Sequence, residues 1–268
     1  MRLHHRILLT VSSAALLSGA VVYAGASAGS DPGSAREAPA PASAGAADVI
    51  PLKEAKLNIE HNATDEDTGF QGFIDSEGWR RLDIRGPGGP VATLKGRGSL
   101  ADLGLTELFF ETVEPENADT PIAEMLAKLP EGRYTIAGPA QENGESLGRT
   151  SGTALLTHDI PAGPKLVAPA EGATVPASDV LARWKPVSKT IRGEPVRIIA
   201  YQLIIEKDVE PHRHMIGKFG LSMYLPPSTT RIEVPDGFLE PRTAYDWEVL
   251  AIERSGNQTL SSGSFKTG

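Results

Sequence analysis

Short runs of alternating apolar residues fill the chain from residue 164 to residue 268, and clusters of proline, glycine and serine separate them. In the runs 199–205 and 245–251 every second residue is apolar, which is the period of a β-strand. This spacing predicts short antiparallel strands of a β-sandwich, with the alternating residues of both runs facing one core. On the opposite face of the second run, acidic residues give way to Leu250 and Ile252. We therefore expect a neighbouring segment to cover that end of the strand.

The segment 239–245 reads Leu-Glu-Pro-Arg-Thr-Ala-Tyr and resembles the Leu-x-Pro-x-Thr-x-Tyr corner of fibronectin type III domains. Trp184 is similar to the tryptophan of an early strand of that family, and Tyr201 to the tyrosine of its third strand. The resemblance covers residues 164–268 and implies a fibronectin type III β-sandwich. It also implies that the hydroxyl of Tyr245 bonds to the backbone just upstream. It implies a modular architecture compatible with secretion and says nothing about a ligand.

Residues 48–163 also favour strands. The candidate strands are 56–60, 69–74, 80–85, 91–95, 106–111, 133–137 and 153–157. The sequence Gly-Pro-Gly-Gly at 86–89 predicts a hairpin turn. One short helix is predicted at 120–129, where Pro121 suits the first helical position and apolar residues line one face.

The sequence Leu-Pro-Glu-Gly-Arg-Tyr at 129–134 is similar to the corner of the second half, with one residue fewer. We interpret residues 48–163 as an immunoglobulin-like β-sandwich, joined to the domain 164–268 by the stiff segment 161–164, which contains two prolines. The predicted fold class is therefore all-β, with two tandem immunoglobulin-like or fibronectin type III β-sandwiches.

A leader precedes these predicted domains. Residues 1–28 carry two arginines, an apolar run and small residues at its end, which is typical of a secretory signal peptide. The alternative is an uncleaved membrane anchor, and polar residues within the run oppose it. Residues 29–47 are mostly alanine, serine, glycine and proline and predict a disordered linker. The leader is of bacterial type and predicts a secreted protein, either extracellular or in the periplasm or cell envelope.

Composition removes several classes of function. The chain has no cysteine, so disulfides, cysteine zinc sites and thiol nucleophiles are excluded. The formal net charge of -8 argues against a nucleic-acid partner, because binding phosphates requires a basic face. The excess of negative charge also favours a monomer.

The densest polar segment, 60–69, is a candidate calcium site. Calcium takes six to eight oxygen ligands from carboxylates, amides and carbonyls. The best candidate ligands are Asp65 and Asp67, followed by Glu60, Asn62 and Asp75. The alternative is a solvated acidic turn, which is common on an acidic chain.

A second acidic group consists of Glu107, Glu111, Glu114 and Glu116. Along one strand, Glu107, Phe109 and Glu111 share a face, while Leu108 and Phe110 face the core. Paired carboxylates permit glycoside hydrolysis when they face one cleft. An exposed phenylalanine between carboxylates also suits sugar or peptide binding, and a charged surface face is the third alternative.

These observations favour an exported, non-catalytic binding or spacer protein of the cell envelope or extracellular space. No separate catalytic domain of ordinary size fits in the remaining residues. Its partner is an extracellular protein or polysaccharide, and a membrane contact would come through an uncleaved leader. The predicted contact regions are the long loop 206–227, which contains His212 and His214, and the strand with Phe109. The alternatives are a calcium-binding adhesive module and a carbohydrate-active hydrolase.

Overall fold

Strands dominate the computed structural model, which describes residues 49–268. The predicted signal peptide, 1–28, and linker, 29–47, lie outside the described residues. Among residues 49–268, no helix has the length and apolar character needed to cross a membrane. The strands of the N-terminal half are β1 (Val49–Pro51), β2 (Glu54–Asn62), β3 (Asp67–Trp79), β4 (Arg81–Gly86), β5 (Gly89–Lys95), β6 (Leu105–Glu111), β7 (Gly132–Glu142) and β8 (Glu145–Leu156).

In the N-terminal half, β2, β3 and β6 form one layer and β5, β4, β7 and β8 form the other. The end of β3 crosses between the layers, where Trp79 pairs with Ala140 of β7. Inward side chains of both layers, including Ile59, Ile74 and Tyr134, form one hydrophobic core. This is the layered arrangement predicted for an immunoglobulin-like sandwich.

Two short helices lie in the described part of this half, α1 (Ser99–Leu103) and α2 (Ile122–Lys128). Helix α2 is the predicted one, and its Met125 and Leu126 pack into the core. The prediction of a single helix was wrong, because Gly98 and Gly104, both at positive φ, allow one additional turn between β5 and β6. Every predicted strand of this half is present, and most are longer than predicted.

In the C-terminal half a sheet of β9, β11 and β14 faces a sheet of β13, β12, β15 and β16. Between them lie Trp184, Tyr201, Trp247 and Phe265, each nearly inaccessible to solvent. The strands of this half are β9 (Leu166–Ala168), β10 (Ala173–Val175), β11 (Leu181–Trp184), β12 (Ile198–Lys207), β13 (Gly220–Leu225), β14 (Arg231–Glu233), β15 (Ala244–Glu253) and β16 (Gln258–Thr267).

Each half has a tyrosine that joins a strand to the loop before it. The hydroxyl of Tyr245 accepts a hydrogen bond from the backbone N–H of Glu240 at 2.8 Å. The hydroxyl of Tyr134 donates to the backbone carbonyl of Pro130 at 2.7 Å. Both contacts are those expected from the corner motifs.

Two sequence-based expectations in β12 and its connection need correction. Ile199 was expected to face the core, but it is 45% exposed, because a register shift between Ile198 and Ala200 turns its side chain outward. Ile198 packs against the core instead. The segment 206–227 is also not one long loop, since β12 extends to Lys207 and β13 begins at Gly220.

The two halves share a sheet. Strand β16 pairs in parallel with the end of β2, with Gln258 opposite Glu60 and Leu260 opposite Asn62. Strands β6, β3, β2, β16, β15, β12 and β13 therefore form one continuous surface in the described chain. The alternating face of this surface that points away from both cores carries the candidate site.

Asn257 strengthens this junction from a buried position. Its Oδ1 accepts from the backbone N–H of Ile59 at 2.9 Å, and its Nδ2 donates to the carbonyl of Thr157 at 2.9 Å. Only 1% of Asn257 is exposed, so water cannot replace these bonds. The hydroxyl of Thr259 adds a bond of 2.6 Å to the carbonyl of Pro161 in the connecting segment.

Candidate binding groove

The outward face of the shared sheet forms a groove of about 1020 Å³, which we call the sheet groove. Its lining comes from both halves, with β2, β3 and β6 on one side and β12, β13, β15 and β16 on the other. Sheet pairing sets which side chains meet, because residues directly opposite on neighbouring strands lie on one face. The groove therefore exists because β2 and β16 are paired.

One side of the sheet groove is aromatic. Phe73 on β3 lies opposite Phe109 on β6, and the Lys56 ammonium lies 5.6 Å from the centre of the Phe73 ring. Phe109 is 39% exposed, while Phe110 packs against the core of the N-terminal half. The predicted division of this strand, with Glu107, Phe109 and Glu111 on one face, is confirmed.

The other side is largely aliphatic. Leu250 pairs with Leu260 on β16 and with Gln202 on β12, which in turn pairs with Tyr224. Leu250 is buried, as the apolar change along this strand predicted. Ile252, Ile204 and the outward Ile199 extend this apolar side. Tyr224, 59% exposed, lies at its far edge.

Amide side chains connect the two sides along the floor. Gln258 Nε2 donates to the Glu60 carboxylate and to Gln71 Oε1, the latter at 3.0 Å. Gln71 Nε2 donates to Glu111 Oε1 at 2.7 Å, and Asn58 Nδ2 donates to Gln71 Oε1 at 3.3 Å. Glu60, Gln71 and Gln202 are each more than nine-tenths buried. This network fixes the polar groups of the floor in one arrangement.

Three carboxylates meet where the floor reaches the end of β6. Glu60, Glu111 and Glu114 each offer an oxygen atom within 4.8 Å of the others. Gly69 makes room for this contact, because a Cβ at that position would come within 2.6 Å of the Glu114 side chain. Burial raises the pKa of Glu60 to about 7 and that of Glu114 to about 8, and neighbouring carboxylates add to both shifts.

Other acidic groups near the groove have similar shifts. Burial, reinforced by the charge of Glu206, raises the pKa of Glu248 to about 7. Burial, with Asp65 and Glu116 nearby, raises the pKa of Asp67 to about 6. These raised pKa values mean that ionising the carboxylates is less favourable here than in water. Ionising all of them together therefore costs electrostatic free energy.

The five predicted calcium ligands are divided among different places. Asn62 and Asp65 bond to each other at 2.9 Å in the turn after β2, and Asp67 begins β3 beside them. Asp75 lies further along β3, opposite Glu54 and Glu107. Of the five, Glu60 joins the carboxylate cluster with Glu111 and Glu114.

The two histidines of the predicted contact region 206–227 fall outside the groove. His212 and His214 lie in the connection between β12 and β13, with ring centres 5.4 Å apart and both side chains exposed. Tyr224, at the end of the same predicted contact region, does line the groove. The two predicted contact regions therefore meet at one surface through Tyr224 and Phe109.

Sequence reasoning missed Gln258, Gln71 and Glu248 as site residues. No local pattern marks them, since Gln258 contacts Glu60 across 198 positions of sequence. The local signals of this surface were the apolar change at Leu250 and Ile252 and the outward Phe109 between Glu107 and Glu111.

The lining is strongly acidic. Among its described side chains, eight are acidic and three are basic. The acidic ones are Glu60, Asp65, Glu107, Glu111, Glu171, Glu206, Asp246 and Glu248, and the basic ones are Lys56, Lys218 and Arg254. Lys218 pairs with Asp246 at 3.7 Å, at the end of the groove away from Phe109.

No protein-family model matches this chain, and no curated protein matches its sequence. Solved structures similar to it include a two-domain fibronectin type III segment from chicken tenascin, at 13% identity and a TM-score of 0.30. That match covers 81% of this chain and 99% of the tenascin segment. Another is the FN1 to FN3 domains of chicken CNTN1, at 10% identity and a TM-score of 0.32, covering 82% of this chain and 64% of that one.

The fold assignment rests on the features of the chain itself. In the C-terminal half these are a three-stranded sheet facing a four-stranded one within residues 164–268, the corner at Tyr245, and the buried pair Trp184 and Tyr201, whose ring centres are 5.5 Å apart. The C-terminal half of the chain thus has a fibronectin type III-like fold.

Proposed function

We propose that this chain is an exported, non-catalytic binding protein that uses the sheet groove to hold an extracellular protein or polysaccharide. In this proposal, residues 48–163 and 164–268 are two tandem β-sandwich domains. A signal peptide at 1–28 directs export, and the linker 29–47 separates the domains from the cell surface. The protein acts as a monomer in the cell envelope or extracellular space.

The observation that carries this proposal is the composition of the groove. Outward faces of sandwich sheets are ordinarily polar, because they meet water. Here the outward faces instead carry Phe73, Phe109, Ile204, Ile252 and Tyr224 around a bonded polar floor. A large concave surface with apolar walls and a few fixed polar groups is typical of a binding site.

Photo-crosslinking in the producing cell tests the proposal. A benzophenone amino acid replaces Phe109 or Tyr224, and as a control it replaces Leu103, which is 70% exposed on α1 and outside the groove. We expect the same crosslinked partner from both groove positions and none from position 103. Equal capture from all three positions, or from position 103 alone, contradicts the proposal.

Hydrolysis is the second candidate function, and the carboxylate cluster favours it. Glu60 and Glu111 each place a carboxylate oxygen within 4.8 Å of the other, paired carboxylates are the groups that glycoside hydrolysis uses, and the raised pKa of Glu60 suits a general acid. This candidate requires that Glu111→Gln abolish turnover of a bound glycan while leaving the fold unchanged. A glycan that binds in the groove and is recovered intact supports the non-catalytic proposal.

Calcium binding stays a prediction for Asp65, Asp67, Glu60, Asn62 and Asp75. The approach of Glu60 to Glu111 and Glu114 favours a cation near that end of the groove. A metal bound to the folded state raises the melting temperature by mass action. Melting curves with about 2 mM calcium, and with excess chelator, test this prediction. Identical curves contradict it.

A further inference from the structure

We propose that the occupant of the sheet groove is an extended polypeptide segment in which pairs of lysine or arginine residues alternate with pairs of apolar residues, so that the face turned to the groove carries both kinds of side chain. The inference rests on the proposed binding function and names the chemical class of its partner. Three properties of the groove carry it: the excess of negative charge, the way its carboxylates are bonded, and the placement of its apolar side chains.

The charge of the lining favours a cationic partner. The described lining carries eight acidic side chains against three basic ones. Opposite charges across an interface attract a partner and exclude those of like charge. Anionic polysaccharides and nucleic acids are therefore disfavoured by the same residues that favour lysine and arginine.

The floor carboxylates are bonded in a way that leaves their charge uncompensated. Glu60 and Glu111 accept hydrogen bonds from the amides of Gln258 and Gln71. An amide satisfies a carboxylate oxygen without adding positive charge. A lysine or arginine entering the groove would supply that charge at a site already partly removed from water, where ion pairs are stronger than at an open surface.

Neutral sugars fit these features less well. A sugar needs an aromatic platform and partners for its hydroxyl groups, which Phe109 and the floor amides could supply. Its hydroxyl groups can donate hydrogen bonds to the carboxylates, but a neutral sugar brings no positive charge to offset their excess negative charge. The aliphatic wall formed by Ile204, Leu250 and Ile252 also offers a sugar few polar partners, whereas it suits leucine, valine or isoleucine side chains.

The dimensions suit an extended chain. The described surface runs across seven strands, from β6 to β13. At about 4.8 Å between neighbouring strands, this width is about 29 Å, which about nine extended residues span at about 3.3 Å each. Apolar groups lie at both sides of the floor carboxylates, with Phe73 and Phe109 on one side and Ile252 and Leu250 on the other. Successive side chains of an extended segment point to opposite faces, so a segment with basic and apolar residues in alternating pairs turns both kinds toward the groove and matches the order of groups it would cross.

Binding of labelled peptides to the full chain tests this inference. Three fluorescent peptides of about twelve residues are compared by anisotropy: pairs of lysines alternating with pairs of leucines, the same pattern with glutamate in place of lysine, and the same pattern with serine in place of leucine. We expect the lysine–leucine peptide to bind at least about tenfold more tightly than either other peptide in about 0.15 M salt. Affinity should fall several-fold in about 0.5 M salt, since screening weakens the ion pairs.

Variants assign this binding to the groove. Two variants should each lower the affinity for the lysine–leucine peptide by about five- to tenfold. They are Phe109→Ala and the double variant Glu111→Gln with Glu248→Gln. Glu145→Gln and Leu103→Ala are matched controls, because both residues are exposed and outside the groove. They should change the affinity by less than about twofold. Circular dichroism confirms that every variant is folded.

The outcomes separate this inference from the proposed function. Equal binding of the glutamate–leucine peptide, or no effect of the groove variants, overturns the inference. So does the absence of peptide binding at about 1 mM. An N-acetylglucosamine oligomer that binds and loses affinity with Phe109→Ala would overturn the polypeptide partner and leave the proposed binding function standing. Failure of the photo-crosslinking test contradicts the proposed function itself.

Discussion

Buried carboxylates are the feature with the clearest consequence at the scale of single residues. Folding raises the pKa of Glu60 from 4.5 to about 7 and that of Glu114 from 4.5 to about 8. Between the unfolded pKa of 4.5 and the folded pKa of each group, the folded chain binds more protons than the unfolded chain. The stability from these groups is therefore fully present below about pH 4.5 and is lost as the pH rises through 7 to 8.

Glu60→Gln should remove much of this pH dependence. The glutamine keeps an oxygen for Gln258 but carries no charge. We expect the free energy of unfolding to rise by about 2 kcal/mol at pH 8, with little change at pH 4.5. Urea unfolding at both values measures this, and Glu145→Gln, at an exposed position, is the control. A loss of stability at pH 8 would show that the charge of Glu60 is compensated.

The two corner tyrosines give a second prediction. Tyr134→Phe leaves the carbonyl of Pro130 without its hydrogen bond, and Tyr245→Phe leaves the N–H of Glu240 without its own. Each change should lower the free energy of unfolding by about 1 to 2 kcal/mol. Tyr224→Phe is the control and should cost less than about 0.5 kcal/mol, since Tyr224 is largely exposed. Equal losses of stability at all three positions would show that the corner hydrogen bonds do not stabilise the fold.

At the scale of elements, local patterns predicted the strands and missed their pairing across the halves. The alternation in 245–251 and the corner at 239–245 were sufficient to predict a strand and the turn before it. Both signals depend only on residues that are near one another in the sequence. Ile199 was misassigned because a bulge reverses the alternation at one residue. The pairing of β2 with β16 joins residues 198 positions apart. No local sequence pattern predicts this pairing. The apolar change at Leu250 predicted that a neighbouring segment covers this end of the strand. It did not predict which segment that is.

Asn257 should control this junction between elements. Asn257→Ala removes the acceptor of the buried Ile59 N–H and the donor to Thr157. We expect a loss of about 2 to 3 kcal/mol in the free energy of unfolding. Asn58→Ala, which removes one partly buried side-chain bond of 3.3 Å, is the control and should cost less than about 1 kcal/mol. If the two variants lose the same amount, Asn257 does not hold the junction.

At the scale of the molecule, the shared sheet makes the two cores dependent on each other. The paired segment of β2 and β16 and the buried bonds of Asn257 and Thr259 cross between the halves. We therefore predict one cooperative thermal transition, with calorimetric and van't Hoff enthalpies that agree. Two separate transitions in the wild-type chain would show that each half unfolds independently.

Isoleucine methyl groups report directly on whether a partner binds in the sheet groove. Ile199, Ile204 and Ile252 line the groove, whereas Ile191 and Ile216 are exposed elsewhere. In methyl NMR spectra of the full chain titrated with the lysine–leucine peptide, we predict saturable shifts for the three groove isoleucines and unchanged signals for the other two. Shifts at Ile191 or Ile216, with the groove signals unchanged, would show that the peptide binds outside the groove.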